Sequence, residues 1–268
     1  MKSSTPQQVV ARMAALAAMS LLGISTAAAD VIFTDANFTD FGSYTQVYTP
    51  LMNETITPSQ CASCGSPGAA LQILINVGDT TTTTANGIVG LINPAFSYDP
   101  GTQGSIAAIN ASIFKDLTLT PPPAGVAYSF GYSFIPLIEQ DGNFYFSTIS
   151  GPELVSPNTT TGFNTISASG LTANDFDQLD FATGTFSTNH PNFSGDPILF
   201  GLAAGLTNVN GGPTFGSTSI AQDLSIQVVT TPEPSTLLLL GGLVPVWGVL
   251  RRRHRRPIRT ASATSGPH

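Results

Sequence analysis

The 268-residue chain predicts an all-β fold, a single jelly-roll-like β-sandwich with a short apolar segment at each end. Three observations carry this. Apolar side chains alternate with polar or small ones over several stretches, the period of a half-buried strand. Amphipathic periodicity of the helical kind is scarce. The 26 glycines and 20 prolines interrupt the chain too often for a helical bundle, whereas many short strands with frequent turns are the pattern of sandwiches and jelly rolls.

Each element rests on a local pattern. Leu71, Ile73, Ile75 and Val77 alternate with Gln72, Leu74 and Asn76, which reads as a strand. Thr80 to Thr84 followed by Asn86-Gly87 reads as a polar loop. Ile109, Ala111, Ile113, Leu117 and Leu119 share one face of the next strand, with Lys115 intruding on it. Pro121-Pro122-Pro123 ends that element, because proline brings no ladder N–H. Val126, Tyr128, Phe130, Tyr132 and Phe134 then face one side, and Ala127, Ser129, Gly131 and Ser133 the other. Asp141-Gly142 is a hairpin turn signal, leading back into Asn143-Phe144-Tyr145-Phe146. Ile198 to Leu202 is a later strand, and Leu224, Ile226 and Val228 mark the closing one.

The two ends read as addresses. Lys2 and Arg12 precede an apolar stretch, Met13 to Ile24, and Ala27-Ala28-Ala29 supplies the small residues of a cleavage site before Asp30. That is the make-up of a secretory signal peptide, too short and wrongly flanked for a membrane span. At the other end a rigid spacer, Thr231-Pro232-Glu233-Pro234-Ser235, leads into an apolar run from Leu237 to Leu250 and then Arg251-Arg252-Arg253-His254-Arg255-Arg256. The run falls short of the about 20 apolar residues of a spanning helix, and Gly241-Gly242 and Pro245 weaken it further. A run that ends in arginines fits a transient stop-transfer element, since basic residues stay on the cytoplasmic side.

Motif, apolar run and arginines together resemble the PEP-CTERM sorting signal of Gram-negative bacteria, with the motif at Pro232, Glu233 and Pro234 and the stop-transfer cluster at Arg251, Arg252, Arg253, Arg255 and Arg256. The resemblance implies that a membrane-embedded cysteine transpeptidase, exosortase, recognises and removes the tail. The expected organisation is a signal peptide over 1–29, a β-sandwich body over 30–230, the sorting signal over 231–256 and a disordered cytoplasmic tail over 257–268. Three body segments, Ile92-Asn93-Pro94-Ala95-Phe96-Ser97-Tyr98-Asp99-Pro100, Leu171-Thr172-Ala173-Asn174-Asp175-Phe176 and Pro197-Ile198-Leu199-Phe200-Gly201, also resemble the jelly-roll domains of such proteins, built like laminin-G or concanavalin lectin sandwiches. That second resemblance implies a fold and no ligand.

Charge separates cleanly along the chain. Fifteen of the sixteen acidic residues lie in the body, all but Glu233, and Lys115 is the one lysine or arginine beside them, a formal charge of −14. Net charge speaks to solubility and partners rather than fold, and this one excludes nucleic acid as a partner. At most one lysine–carboxylate bridge can form, so stability must come from apolar burial and backbone hydrogen bonds.

Candidate chemistry is sparse. Cys61-Ala62-Ser63-Cys64 could be a redox pair, half a zinc site or a local disulfide. Zinc needs four ligands, a redox pair would sit at a helix start, and the following Gly65-Ser66-Pro67-Gly68 reads as loop, so a loop disulfide is expected in an oxidising compartment. His190, the one body histidine, lies in a turn sequence, and no GxSxG elbow accompanies it. Glycoside hydrolysis needs two carboxylates at a set separation, and no pair can be chosen from fifteen. Asp175, Asp177 and Asp180 are the tightest acidic group and could contribute oxygens to calcium, the one cofactor the sequence suggests. Tyr44, Tyr48, Tyr98 and Tyr145 are the aromatics available for stacking on a sugar, Trp247 lying in the tail.

The expected protein is therefore a non-enzymatic, exported cell-surface or extracellular protein, and the PEP-CTERM resemblance implies a structural role in an exopolysaccharide or biofilm matrix. The alternative is a lectin-like carbohydrate-binding module, calcium-assisted; a glycan-active enzyme ranks behind both. Expected partners are the export machinery, an exosortase-type sorting enzyme, exopolysaccharide, and the membrane during transient insertion.

Overall fold

A computed structural model of the chain describes residues 29–50, 54–78, 85–120, 131–147, 153–154, 162–208 and 215–231. They belong to one compact unit, Ala29–Thr231. In chain order the strands are β1 (Val31–Asp35), β2 (Thr45–Tyr48), β3 (Glu54–Gly65), β4 (Gly68–Val77), β5 (Ala85–Tyr98), β6 (Ile106–Thr120) and β7 (Gly131–Gln140). The second half adds β8 (Asn143–Ser147), β9 (Glu153–Leu154), β10 (Asn164–Leu171), β11 (Phe176–Asp180), β12 (Thr185–Ser187), β13 (Ile198–Asn208) and β14 (Phe215–Thr230). Helix among the described residues is confined to one turn at Pro100–Gln103 and two shorter 3₁₀ turns.

The strands form two antiparallel sheets. The six-stranded sheet runs β10-β6-β14-β4-β3, and β1 completes it beside the C-terminal half of β14, with Val31 opposite Val228. The eight-stranded sheet runs β12-β11-β8-β7-β13-β5-β2, with β9 joined to β7. The chain changes sheet between β1 and β2, β2 and β3, β4 and β5, β5 and β6, β6 and β7, β9 and β10, β10 and β11, and β13 and β14. This is the winding of a jelly-roll-like sandwich.

The alternation read from the sequence decides what is buried. Leu71, Ile73 and Ile75 of β4 and Ile109, Ala111, Ile113 and Leu117 of β6 enter one core with Leu224, Ile226 and Val228 of β14. Val89 and Leu91 of β5, Phe134 and Ile138 of β7 and Phe200 and Leu202 of β13 meet them from the other sheet. Burying each such side chain stabilises by about 1.5–3 kcal/mol. β7 begins at Gly131, so residues 126–130 of the aromatic stretch lie outside the described residues, while Phe134 is buried.

β7 reads as a nearly continuous apolar run because both faces of the larger sheet are covered. Ile88, Ile92, Ile135, Leu137, Leu179, Phe181 and Ala203 form a second buried cluster. Gly90 makes room for it: a Cβ there would lie 2.7 Å from the Phe181 ring.

Turns follow their chemistry. Asp141 and Gly142 carry φ of 53° and 74° between β7 and β8, the left-handed pair of a type I′ hairpin. Cys61 and Cys64 are joined by a disulfide with Cα atoms 5.7 Å apart. They stand at the end of β3 rather than in a loop. The β3–β4 ladder still closes at Gly65–Gly68, after a bulge between Cys61 and Gly65, and that pairing keeps the segment extended.

Candidate functional site

The chemistry-bearing surface lies where β8, β11 and β12 pair at one margin of the larger sheet. Gln178 stands opposite Tyr145 on one side and Ser187 on the other, so these side chains share a face with Asn143. Leu179 stands opposite Phe144 and Phe186, which places those rings, with Phe146, on the reverse face. The margin opens into a cleft of about 610 Å³.

Gln178 is the hub of its polar wall. Its amide nitrogen donates to Asn143 Oδ1 at 2.8 Å. Its oxygen accepts from Asn189 Nδ2 at 2.7 Å and from Ser187 Oγ at 3.1 Å. Three neighbours are thus fixed by one amide. The backbone holds the same register, since Gln178 N donates to Asn189 O at 3.0 Å.

Asp180 and Phe181 close one end of the cleft. The Asp180 carboxylate accepts from Thr183 Oγ1 and from Ala182 N, each at 2.8 Å. Those bonds, the Thr183 hydroxyl first, hold its pKa below the usual aspartate value, because they favour the charged form. Phe144 meets Phe181 edge to face at 5.1 Å between centroids. Phe186 stands 5.7 Å from Phe146 and is 50 % exposed, unusual for so large an apolar side chain. The arrangement offers mixed donors and acceptors with a fixed anion, beside the half-buried Phe144 ring.

A second polar cleft of about 450 Å³ is lined by Asp35, Asn37, Asp40, Asn93 and Phe96. Asp35 is taken up there by the Tyr44 hydroxyl at 2.8 Å and the Phe38 N–H at 2.7 Å. Phe96 is buried, so this cleft presents no exposed ring.

The residues singled out in the sequence fare unevenly. Asp175, Asp177 and Asp180 are not brought together. Asp175 accepts from the Thr172 N–H and hydroxyl in a capping box, and Asp177 lies 3.8 Å from His190 Nδ1. Each carboxylate has a local duty, and among the described residues no three groups converge to hold a metal ion. His190 is exposed, its Nδ1 2.7 Å from Phe176 O.

The tyrosines are a correction. Tyr44, Tyr98 and Tyr145 are buried rather than available for stacking, and Tyr98 bonds the carbonyls of Gln103 and Gly104. Tyr48 is half-buried and donates to Gln46. Pro232, Glu233, Pro234 and the arginine cluster lie outside the described residues. No helix among the described residues is long and apolar enough to cross a membrane.

The fold and the C-terminal sorting motif define an exported β-sandwich protein. Residues 230–256 match the PEP-CTERM protein-sorting motif, and the chain is thereby a substrate for exosortase sorting, processed at the membrane. No curated protein is significantly similar in sequence. Among solved structures, a carbohydrate-binding module studied for specific mannan recognition is 10 % identical, with 76 % of this chain and 100 % of that one covered and a TM-score of 0.31. A xylan-binding domain from Paenibacillus barcinonensis is 11 % identical, covering 77 % and 99 %, with a TM-score of 0.27. The carbohydrate recognition domain of Emp47p is 10 % identical, covering 72 % and 100 %, with a TM-score of 0.25.

Proposed function

We propose that this protein is a non-enzymatic component of the cell surface or extracellular matrix that binds a polysaccharide chain in the cleft between β8, β11 and β12. One observation carries the reading: the Gln178 hub fixes Asn143, Ser187 and Asn189 at an open margin, in a cleft that the half-buried Phe144 ring also lines. Sugars present hydroxyls that both donate and accept, alternating with apolar C–H faces. A wall of amides and hydroxyls answers the first, and an aromatic face answers the second. The sorting motif supports a surface or matrix setting, where such a chain is at hand.

Two measurements test this. Changing Glu233 to Ala, or the five arginines clustered between 251 and 256 to Gln, leaves the chain unprocessed at the membrane if the tail is the sorting address; normal release would sink that part. Incubation with polysaccharides gives no reducing ends if the cleft binds without cleaving. Product release abolished by a single carboxylate substitution would make the protein an enzyme instead.

A further inference from the structure

We infer that the cleft selects an uncharged polysaccharide and rejects anionic ones; this rests on the glycan-binding reading above and narrows it to a substrate class.

The argument is one of sign. The body carries fifteen carboxylates and no arginine. Its single lysine, Lys115, is 0 % exposed on β6, with its ammonium 6.0 Å from the centre of the Phe134 ring, and so contributes nothing to surface recognition. The one other basic side chain is His190, 3.8 Å from the Asp177 carboxylate. A uronate, sulfate or phosphate group on a polysaccharide would therefore meet no guanidinium or ammonium partner, the usual bidentate or point-charge donors for such anions.

The cleft itself adds a fixed negative charge. Asp180 lies in its wall, held ionised by the Thr183 hydroxyl and the Ala182 N–H. An anionic sugar within about 8 Å of that carboxylate, the screening distance at physiological ionic strength, would be repelled. The remaining polar groups are neutral amides and hydroxyls, whose donors and acceptors are satisfied by hydroxyls without any charge. A neutral chain loses no ionic hydration on entering and gains the ring contact at Phe144. The same balance leaves Gln178 as a positioning residue: its amide is spent on Asn143, Ser187 and Asn189, which present their remaining valences to the sugar.

The test is direct titration of the full-length chain, its six tail arginines changed to Gln so that only the body meets the polymer, held in non-ionic detergent, with two soluble panels. Dextran, mannan, laminarin and arabinoxylan are the neutral panel; alginate, polygalacturonate and hyaluronan are the anionic one. The expected result is saturable binding to at least one neutral polymer, with an affinity that changes less than twofold between 50 and 500 mM NaCl, as for an uncharged ligand. Binding to the same polymer should fall about tenfold or more in Gln178→Ala and in Phe144→Ala, with Asn189→Ala as a third variant and the circular dichroism of all three unchanged. Tighter binding to an anionic polymer, or affinity falling steeply with salt as for an ionic attraction, overturns the charge selection and leaves the glycan reading standing. Absence of binding to every polymer in both panels overturns the glycan reading itself. Unchanged binding in the well-folded variants would move the site away from this cleft and overturn the proposal.

Discussion

Lys115 lies inside the sandwich with its ammonium 6.0 Å from the centre of the Phe134 ring, so the only lysine of the body faces an aromatic ring across the two sheets. Burial, offset in part by the neighbouring Asp116 charge, lowers its pKa to about 8. The unfolded chain then binds more protons than the folded one between about pH 8 and the ordinary lysine value near 10.5. Stability rises with pH wherever the unfolded state holds the extra proton. The melting temperature should therefore climb as pH passes from 7.5 to 9.5, by the equivalent of about 1–2 kcal/mol, and the slope should vanish in Lys115→Met. Above about pH 10 the trend should reverse, because burial keeps Tyr44, Tyr48, Tyr98 and Tyr145 protonated in the fold, while free tyrosines ionise there. A flat profile for the parent chain between pH 7.5 and 9.5 would refute this account.

Glu54 should behave in the opposite sense. It is buried at the start of β3, neither carboxylate oxygen has a hydrogen-bond partner among the described residues, and burial raises its pKa. A carboxyl raised in the fold favours folding at low pH and loses that advantage as pH rises through its folded value. Glu54→Gln should raise the melting temperature at pH 7, by the equivalent of about 1 kcal/mol, and have little effect at pH 4. A denaturation series across that range checks both halves.

Gln222 should prove a stability determinant although it is polar. It is buried beside the β14 bulge, where its nitrogen donates to Pro67 O and Ala69 O, and its oxygen accepts from Ser66 N. One side chain thus ties the tip of the β3–β4 hairpin to the central strand. Gln222→Ala should cost about 2–4 kcal/mol, the sum of lost bonds and stranded backbone groups. Urea midpoints measure it directly, and Gln222→Glu should fail to rescue, because a carboxylate would face two carbonyl oxygens.

Phe186 is the control for the site. With half its surface in solvent, on the face opposite Gln178, Phe186→Ala should change folding free energy by less than about 0.5–1 kcal/mol and leave polysaccharide binding unchanged. Weakened binding in this variant would put the sugar on the reverse face of the sheet.

The strands were legible because burial imposes a period. Leu71, Ile73 and Ile75 alternate as read, Pro121 follows the last residue of β6, and Asp141-Gly142 turns the β7–β8 hairpin. The cleft was not legible. Asn143, Gln178 and the Ser187–Asn189 stretch come from three places in the chain, and each residue type is common in solvated turns, so only pairing of β8, β11 and β12 makes them a wall. The tyrosines misled because an amphipathic ring suits a surface or a core equally; internal acceptors, such as Asp35 for Tyr44 and the Gln103 and Gly104 carbonyls for Tyr98, decide for the core. The three aspartates take separate neighbours for a related reason. Closeness in sequence along a strand and its flanking turns sends successive carboxylates to different neighbours.

The position of β14 has a mechanical consequence. It is paired to β6 along nearly its whole length on one edge, and to β4 and then β1 on the other. Tension passing from the cleft to Thr231 would have to drag β14 lengthwise through both ladders, breaking many hydrogen bonds at once. Tension between Asp30 and Thr231 pulls instead on the neighbouring ends of the antiparallel β1–β14 pair, whose bonds can open one after another. The sandwich is thus stiff toward a load drawn from its far margin and weak toward one that separates its two ends.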